Sequence, residues 1–285
     1  MYERILVPTD GSAVASAAVD AAVELAEAFG AELHAVHVLE QPGRKARSEG
    51  VTETAAAKAE AAGLEVTTAV VEQADTIHRT VLAYAADHEI DCILAGTHGR
   101  TGLGRLVMGS IAEQLLRESP IPVFTVHEET VVDPPFERIL VPTDGSDCAD
   151  AAAEEAIKLT RWSGAKMHVV HVLDIGVVGA NIGALLTTLQ NAGADTIQAV
   201  VDRAHEEGVS NVESTIIRGI PYWSILGYAE DHEMDCVVMG THGRTGFERY
   251  FLGSVTERVA RLADVPVLTV RGPEAPNPTE RLEDT

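Results

Sequence analysis

Gly96-Thr97-His98-Gly99-Arg100-Thr101-Gly102, followed by Gly109-Ser110, is the stretch on which the reading of this sequence turns. It recurs as Gly240-Thr241-His242-Gly243-Arg244-Thr245-Gly246, followed by Gly253-Ser254 at the same distances. Each copy comes after a short apolar run, Cys92-Ile93-Leu94-Ala95 and Cys236-Val237-Val238-Met239, and precedes a helical pattern. A strand, a glycine-rich turn and a helix start make a phosphate cradle, because free N–H groups and a positive dipole end gather at a helix N-terminus. Gly96 would end the strand and Gly99 would let the backbone approach a ligand closely. Ser110 with Glu113, and Ser254 with Glu257, fit the S-x-x-E pattern of a capping box, which predicts a helix start at each Gly-Ser pair. Arg100 and Arg105, with Arg244 and Arg249, offer donors for phosphate oxygens. The competing reading leaves the serines and glutamates as caps and the glycines as turns.

Outward from the loops, the chain reads as a duplication. Glu3-Arg4-Ile5-Leu6-Val7-Pro8-Thr9-Asp10-Gly11-Ser12 recurs as Glu137 to Ser146, and by the glycine loops the second half carries a net insertion of ten residues. Internal similarity of this kind is settled before any element is assigned. The pattern predicts two domains, residues 1–128 and 136–271, joined by an acidic, Pro-containing linker at 129–135 and followed by a tail, 272–285, expected to be disordered. In the first half, strands are predicted at Arg4–Val7, Glu32–Leu39, Leu64–Val71, Asp91–Gly96 and Pro122–Val126. Helices are predicted from Val14 to Phe29, over an Ala-rich stretch ending at Gly63 after a looser segment with Arg44, Lys45 and Arg47, from Thr76 to His88, and from Ser110 to Glu118. The inserted residues of the second half fall around Val177–Thr188, as a loop before a longer helix that packs on its neighbour or covers a ligand. Strands alternating with helices imply parallel pairing through right-handed crossovers, with ligands outside the carboxyl ends of the strands.

Composition narrows the function. Lys+Arg is 21 against Asp+Glu 44, a formal net charge of −23, which argues against nucleic-acid binding because phosphates would go unneutralised. The acidic, lysine-poor, alanine-rich balance resembles that of halophilic proteins; a merely acidic protein kept soluble by its charge is the plainer reading. Of three cysteines, Cys92 and Cys236 enter buried strands as small core residues, and nothing suggests a disulfide framework. The N-terminal residues enter a strand at once and no apolar run approaches the roughly 20 residues of a membrane span, so a soluble, cytoplasmic protein is expected.

Asp10 and Asp144 end the first strand of each half, at the edge that carries the loop. A carboxylate there accepts a hydrogen bond from a ribose hydroxyl or a base edge, or serves as an ordinary turn aspartate before Gly-Ser. Thr9-Asp10-Gly11-Ser12 with Gly96-x2-Gly99-x9-Gly109-Ser110, and both second-half copies, resemble the universal stress protein family in tandem form, in its nucleotide-binding branch. The resemblance implies an α/β fold of two tandem doubly wound domains, each an open five-stranded parallel sheet of order 3-2-1-4-5 with helices on both faces. It further implies an adenine nucleotide, ATP or AMP or ADP, across the carboxyl edge. By position, Asp10 and Asp144, beside Pro8 and Thr9 and beside Pro142 and Thr143, would meet the adenosine part. Val38 and Val172 would hold the base through backbone groups. Gly96, Gly99, Gly109 and Ser110, with Gly240, Gly243, Gly253 and Ser254, would bind phosphate and ribose. One departure stands out: the family's G-x-P at the third helix is supplied by Gly219 and Pro221, whereas the first half has Asp75-Thr76-Ile77 with Glu72 nearby. Those carboxylates would repel phosphate, so the second site is expected to bind more tightly.

His34 and His37 recur as His168 and His171, but residues three apart on a strand face opposite sides and do not chelate one ion. His88 and His232 suit helix C-termini. His98 and His242 are the histidines placed near a ligand, and magnesium or manganese would arrive held by phosphates. With no Walker lysine or general base beside the loop, a binding or sensing module in stress physiology is expected; a slow ATPase or nucleotidyl-transfer enzyme, and an interaction protein with empty sites, are the alternatives. The apolar last strands, Ile121–Val126 and Val265–Val270, invite pairing at exposed edges, which by the resemblance would join the halves as an internal pseudo-dimer. Dimerisation of the whole chain would then need another surface.

Overall fold

A computed structural model describes residues 1–39, 45–97, 108–174, 183–243 and 252–272. In the first half the elements run β1 (Arg4–Pro8), α1 (Ala13–Phe29), β2 (Glu32–Leu39), α2 (Lys45–Ala61), β3 (Val66–Glu72), α3 (Ile77–Asp87), β4 (Cys92–Gly96), α4 (Ser110–Glu118) and β5 (Val123–Val126). The second half repeats them as β6 (Arg138–Pro142), α5 (Asp147–Ser163), β7 (Lys166–Asp174), α6 (Gly183–Glu206), β8 (Val212–Gly219), α7 (Pro221–Asp231), β9 (Cys236–Gly240), α8 (Ser254–Leu262) and β10 (Val267–Val270). Two local readings change. Helix α2 already begins at Lys45, so Lys45 and Arg47 belong to it and not to a looser segment. Ser110 and Ser254 are the first residues of α4 and α8; Gly109 and Gly253 are the N-caps, without a side-chain capping bond. The capping box therefore does not form, which leaves both serines exposed at the helix starts.

Helix α1 shows why the local pattern was legible. Ala18, Val19, Ala22, Leu25 and Ala26 are buried on one face. The Ser12 hydroxyl accepts from the Ala15 N–H at 3.3 Å, and Gly30 ends the helix at φ 69°, a left-handed position that glycine adopts without a Cβ penalty. Helix α5 uses Ser146 and Gly164 in the same way.

Among the described residues the ten strands belong to one sheet of order β3-β2-β1-β4-β5-β10-β9-β6-β7-β8. Each half thus has the order 3-2-1-4-5, with parallel pairing throughout. The halves meet at β5 and β10, which pair antiparallel with Phe124 opposite Leu268. Antiparallel pairing there turns the carboxyl edges of the two halves toward opposite ends of the sheet. Buried residues of α1, α2, α5 and α6 pack on one face, and those of α3, α4, α7 and α8 on the other. The seam is aromatic: Tyr2 meets Phe124 and Phe29 edge-on, and Phe29 meets Trp162 of α5 with centroids 4.5 Å apart. The Tyr2 hydroxyl donates to buried Glu155 of α5 at 2.7 Å, so this carboxylate is not left unpaired in the core.

At the amino edge, both halves build the same cluster. His34 Nδ1 lies 3.0 Å from the Tyr84 hydroxyl and Tyr84 stacks on His88; His168, Tyr228 and His232 repeat this at 2.9 Å. Burial holds His34 and His168 below the ordinary imidazole range, against the opposing pull of Glu32 and Glu213. The unfolded chain therefore takes up these protons first as pH falls through about 6.5, so stability is complete above that pH and declines below it. Glu32, Glu118 and Glu213 lie below the usual carboxylate range, through the Thr67 hydroxyl, Arg117 and Lys166, and their share is lost only below about pH 4.5. Urea midpoints at about pH 8 and about pH 5.5 should differ in the wild type. Replacing both histidines, His34→Gln and His168→Gln, should remove most of that difference; equal wild-type midpoints would refute the assignment.

Candidate functional site

The carboxyl edge of the first half holds a cavity of about 490 Å³. Its lining gathers the ends of separate elements: Pro8 at the end of β1 with Thr9 and Asp10 after it, His37 and Val38 from β2, Gly96 from β4, and Gly109 and Ser110 at the start of α4. Val51 of α2 and Ile77 of α3 close it on two sides. Right-handed crossovers bring these ends together at the point where strand order reverses between β1 and β4.

Each position has a local cause. Asp10 is partly the turn aspartate of the plainer reading: its Oδ1 accepts the Ser12 N–H at 2.9 Å, and Gly11 follows at φ 78°. The turn occupies that oxygen and leaves the carboxylate exposed at the cavity. Thr9 is buried, with its N–H bonded to the Val36 carbonyl at 2.8 Å. Gly96 sits where β4 crosses α1 so closely that a methyl there would lie 2.6 Å from the Val14 carbonyl oxygen. His98, Gly99 and Arg100 lie outside the described residues, as do Arg105, Arg244 and Arg249.

The second half assembles the equivalent edge with different contacts. Pro142 ends β6, Thr143 and Asp144 follow it, and Asp144 Oδ1 accepts the Ser146 N–H at 3.0 Å. Gly240 abuts the backbone of Cys148, with a built methyl 2.6 Å from its carbonyl carbon, and Gly243 lies against the Asp144 carboxylate. The Gly253 N–H closes the loop on the Thr241 carbonyl at 2.8 Å. His242, placed near a ligand by sequence, has Nε2 3.2 Å from Cys148 Sγ and Nδ1 3.1 Å from the Thr241 hydroxyl. Cys148 answers to Val14 of the first half; comparing the two copies position by position is the signal that could have found this contact. Val172 follows His171 near the carboxyl end of β7, and Gly219 ends β8 two residues before Pro221, which occupies the first turn of α7. Asp75, the first half's replacement for that proline motif, is paired with Arg79 at 2.9 Å, which offsets part of the charge expected to repel phosphate. Of the inserted residues, 177–182 lie outside the described structure; Gly183 onward lengthens α6 to 24 residues against 17 in α2.

Fold and site together define a class: a duplicated, doubly wound α/β protein with a ligand-sized cavity at a strand-order switch point. Within it, the Universal stress protein family matches twice, over residues 1–127 and 135–271, and the chain belongs to that family. The universal stress protein MJ0531 of Methanocaldococcus jannaschii is 35% identical over 144 residues, which are 49% of this chain and 84% of that protein. The universal stress protein Rv2005c of Mycobacterium tuberculosis is 28% identical over 190 residues, 65% of this chain and 63% of its own length. Among solved structures, a universal stress protein from Archaeoglobus fulgidus has a TM-score of 0.75 over 94% of this chain and 98% of its own, at 24% identity, which is a likeness of fold.

Proposed function

We propose that this protein binds an adenine nucleotide at the carboxyl edge of its first half, and that it works as a stress-linked binding or sensing module without efficient catalysis. The observation that carries this reading is the cavity shared by Asp10, Val38, Gly96, Gly109 and Ser110. In it, Asp10 accepts a ribose hydroxyl, backbone groups at Val38 meet the base edge, and the start of α4 presents N–H groups and a positive dipole end to phosphate. The exposed Ser110 hydroxyl, not engaged in capping, adds a donor there. Magnesium or manganese would be held by the phosphates, since no cluster of three metal-ligating side chains occurs among the described residues.

Residues 1–128 and 136–271 act as two domains across the linker 129–135, and the β5–β10 pairing supports treating them as an internal pseudo-dimer. Gly243 over Asp144 and the engaged ring of His242 favour weaker binding at the second edge, the reverse of the ranking that the G-x-P motif suggests. The same contacts of His242 weigh against its acting on phosphate.

Nucleotide released from denatured, freshly purified protein should be identified by mass spectrometry as ATP, ADP or AMP. In calorimetry, Asp10→Ala should weaken ATP binding about tenfold, the loss of one charge-assisted hydrogen bond, and more than Asp144→Ala does. Absence of co-purified nucleotide together with no binding at about 1 mM ATP, some 4 kcal/mol of affinity, would favour an interaction protein with empty sites. Steady-state release of phosphate well above background would favour the enzyme.

A further inference from the structure

We infer that His37 selects the base in the first site, taking a purine with a 6-amino group and rejecting one with a 6-oxo group. This rests on the nucleotide reading above and deepens it. His37 lies on β2 directly before Val38 and lines the same cavity. Its Nδ1 is 2.7 Å from the Thr9 carbonyl oxygen. A carbonyl oxygen only accepts, so Nδ1 carries the proton, and in the neutral ring Nε2 is left as a lone-pair acceptor. The tautomer is thus set by the backbone of β1 and not by solvent. Thr9 is itself fixed, buried and tied to Val36, so the ring is held before any ligand arrives, at the end of the cavity where Val38 meets the base.

The chemistry of a fixed acceptor is one-sided. The exocyclic amine of adenine donates to it, whereas the 6-oxo group of guanine or hypoxanthine places a second lone pair against the first. A site built around one hydrogen-bonding role rejects the analogue that cannot fill it more strongly than a hydrophobic pocket rejects a change of size.

The second half supplies an internal contrast. His171 Nδ1 is 2.8 Å from the Thr143 carbonyl oxygen, so the tautomer is the same. There, however, α6 closes on the ring: a methyl built on buried Gly193 would lie 2.7 Å from His171 Cδ2 and 3.2 Å from Nε2. The helix lengthened by the insertion packs on the Cδ2–Nε2 edge of His171, so on this reading His171 plays no part in choosing a base.

The test is competition against labelled ATP by ATP, purine riboside triphosphate, which lacks the 6-substituent, and inosine triphosphate, which carries the 6-oxo group. In the wild type the order should be ATP, then the unsubstituted purine, then inosine triphosphate, with about tenfold between the ends. His37→Ala should shrink that ratio severalfold. His37→Gln, whose amide can donate to Thr9 and still accept from the base, should keep most of it, and His171→Ala should leave it unchanged. A wild-type ratio near one, or a His37→Ala ratio equal to the wild type's, overturns the role of His37 while leaving nucleotide binding intact. Failure of all three triphosphates to compete or bind overturns the nucleotide reading itself.

Discussion

Gly240→Ala should lower the melting temperature of the whole protein by about 6–10 °C, a loss of about 3 kcal/mol for a domain of this size. The new methyl would lie 2.6 Å from the carbonyl carbon of Cys148 and 2.7 Å from its oxygen. Those atoms belong to the first turn of α5, so relief requires moving a helix against the end of β9. Gly96→Ala should behave alike, because the Val14 carbonyl stands 2.6 Å from the corresponding position. Gly227 supplies the control. It lies in the interior of α7 with no atom within 4 Å of a built methyl, so Gly227→Ala should stabilise by about 0.5–1 kcal/mol through helix propensity. Scanning calorimetry on the three variants separates crowding from a general intolerance of glycine replacement. A Gly240→Ala protein as stable as the wild type would mean that the two backbones are not in contact.

Phe124→Ala should cost about 3–5 kcal/mol, the loss of a large buried ring and the cavity left behind. Phe124 is fully buried in β5, opposite Leu268 of β10, and its ring meets Tyr2 at 6.3 Å. Because this position lies on the seam, the loss should loosen the halves from one another as well as weaken the first. Urea unfolding should show a lower midpoint, with the transition broadening or splitting as the two halves melt separately. A loss below about 1 kcal/mol would place Phe124 outside any well-packed core.

Both variants probe contacts that local sequence reading does not supply. Helix α1 could be read from Ala18, Ala22 and Leu25 because amphipathic periodicity is a property of one segment, and Gly30 marks its end by a conformation of one residue. The bounds of β2 and α4 were legible on the same grounds. The capping box was a local inference too, but it failed by one residue. The same Gly-Ser pair can place either member at the cap, and Gly109 and Gly253, with extended backbone, stand there. Lys45 and Arg47 were read as loose because their stretch has little apolar periodicity, yet they continue a helix whose later turns are anchored by buried Ala55 and Ala59.

The site divides in the same way. Asp10, Gly96, Gly109 and Ser110, which line the cavity, could be singled out because their types and spacing are uncommon in combination and occur twice. His37 was seen only as a member of a repeated pair and set aside when chelation with His34 was excluded by strand alternation. Its hydrogen bond to Thr9 joins two strands, and no pattern within either strand encodes it. Cys148 stands out only when the two copies are compared position by position, and its contact with His242 joins the first turn of one helix to a residue far along the chain.

The sequence by itself determined the duplication, the alternation of strands and helices, the ends of β4 and β9 at Gly96 and Gly240, and the net charge of −23. These follow from the order of residue types along short segments, where steric and hydrophobic preferences act locally. Only the tertiary structure decided that the two sheets run together through β5 and β10, that an open cavity lies in the first half, and that α6 closes over His171 while His37 still lines its cavity. Such features depend on which distant backbones approach within a few ångströms. That approach is fixed by the packing of the whole chain and not by any one stretch of it, so two histidines at matching positions of the repeat, His37 and His171, come to sit in unlike surroundings.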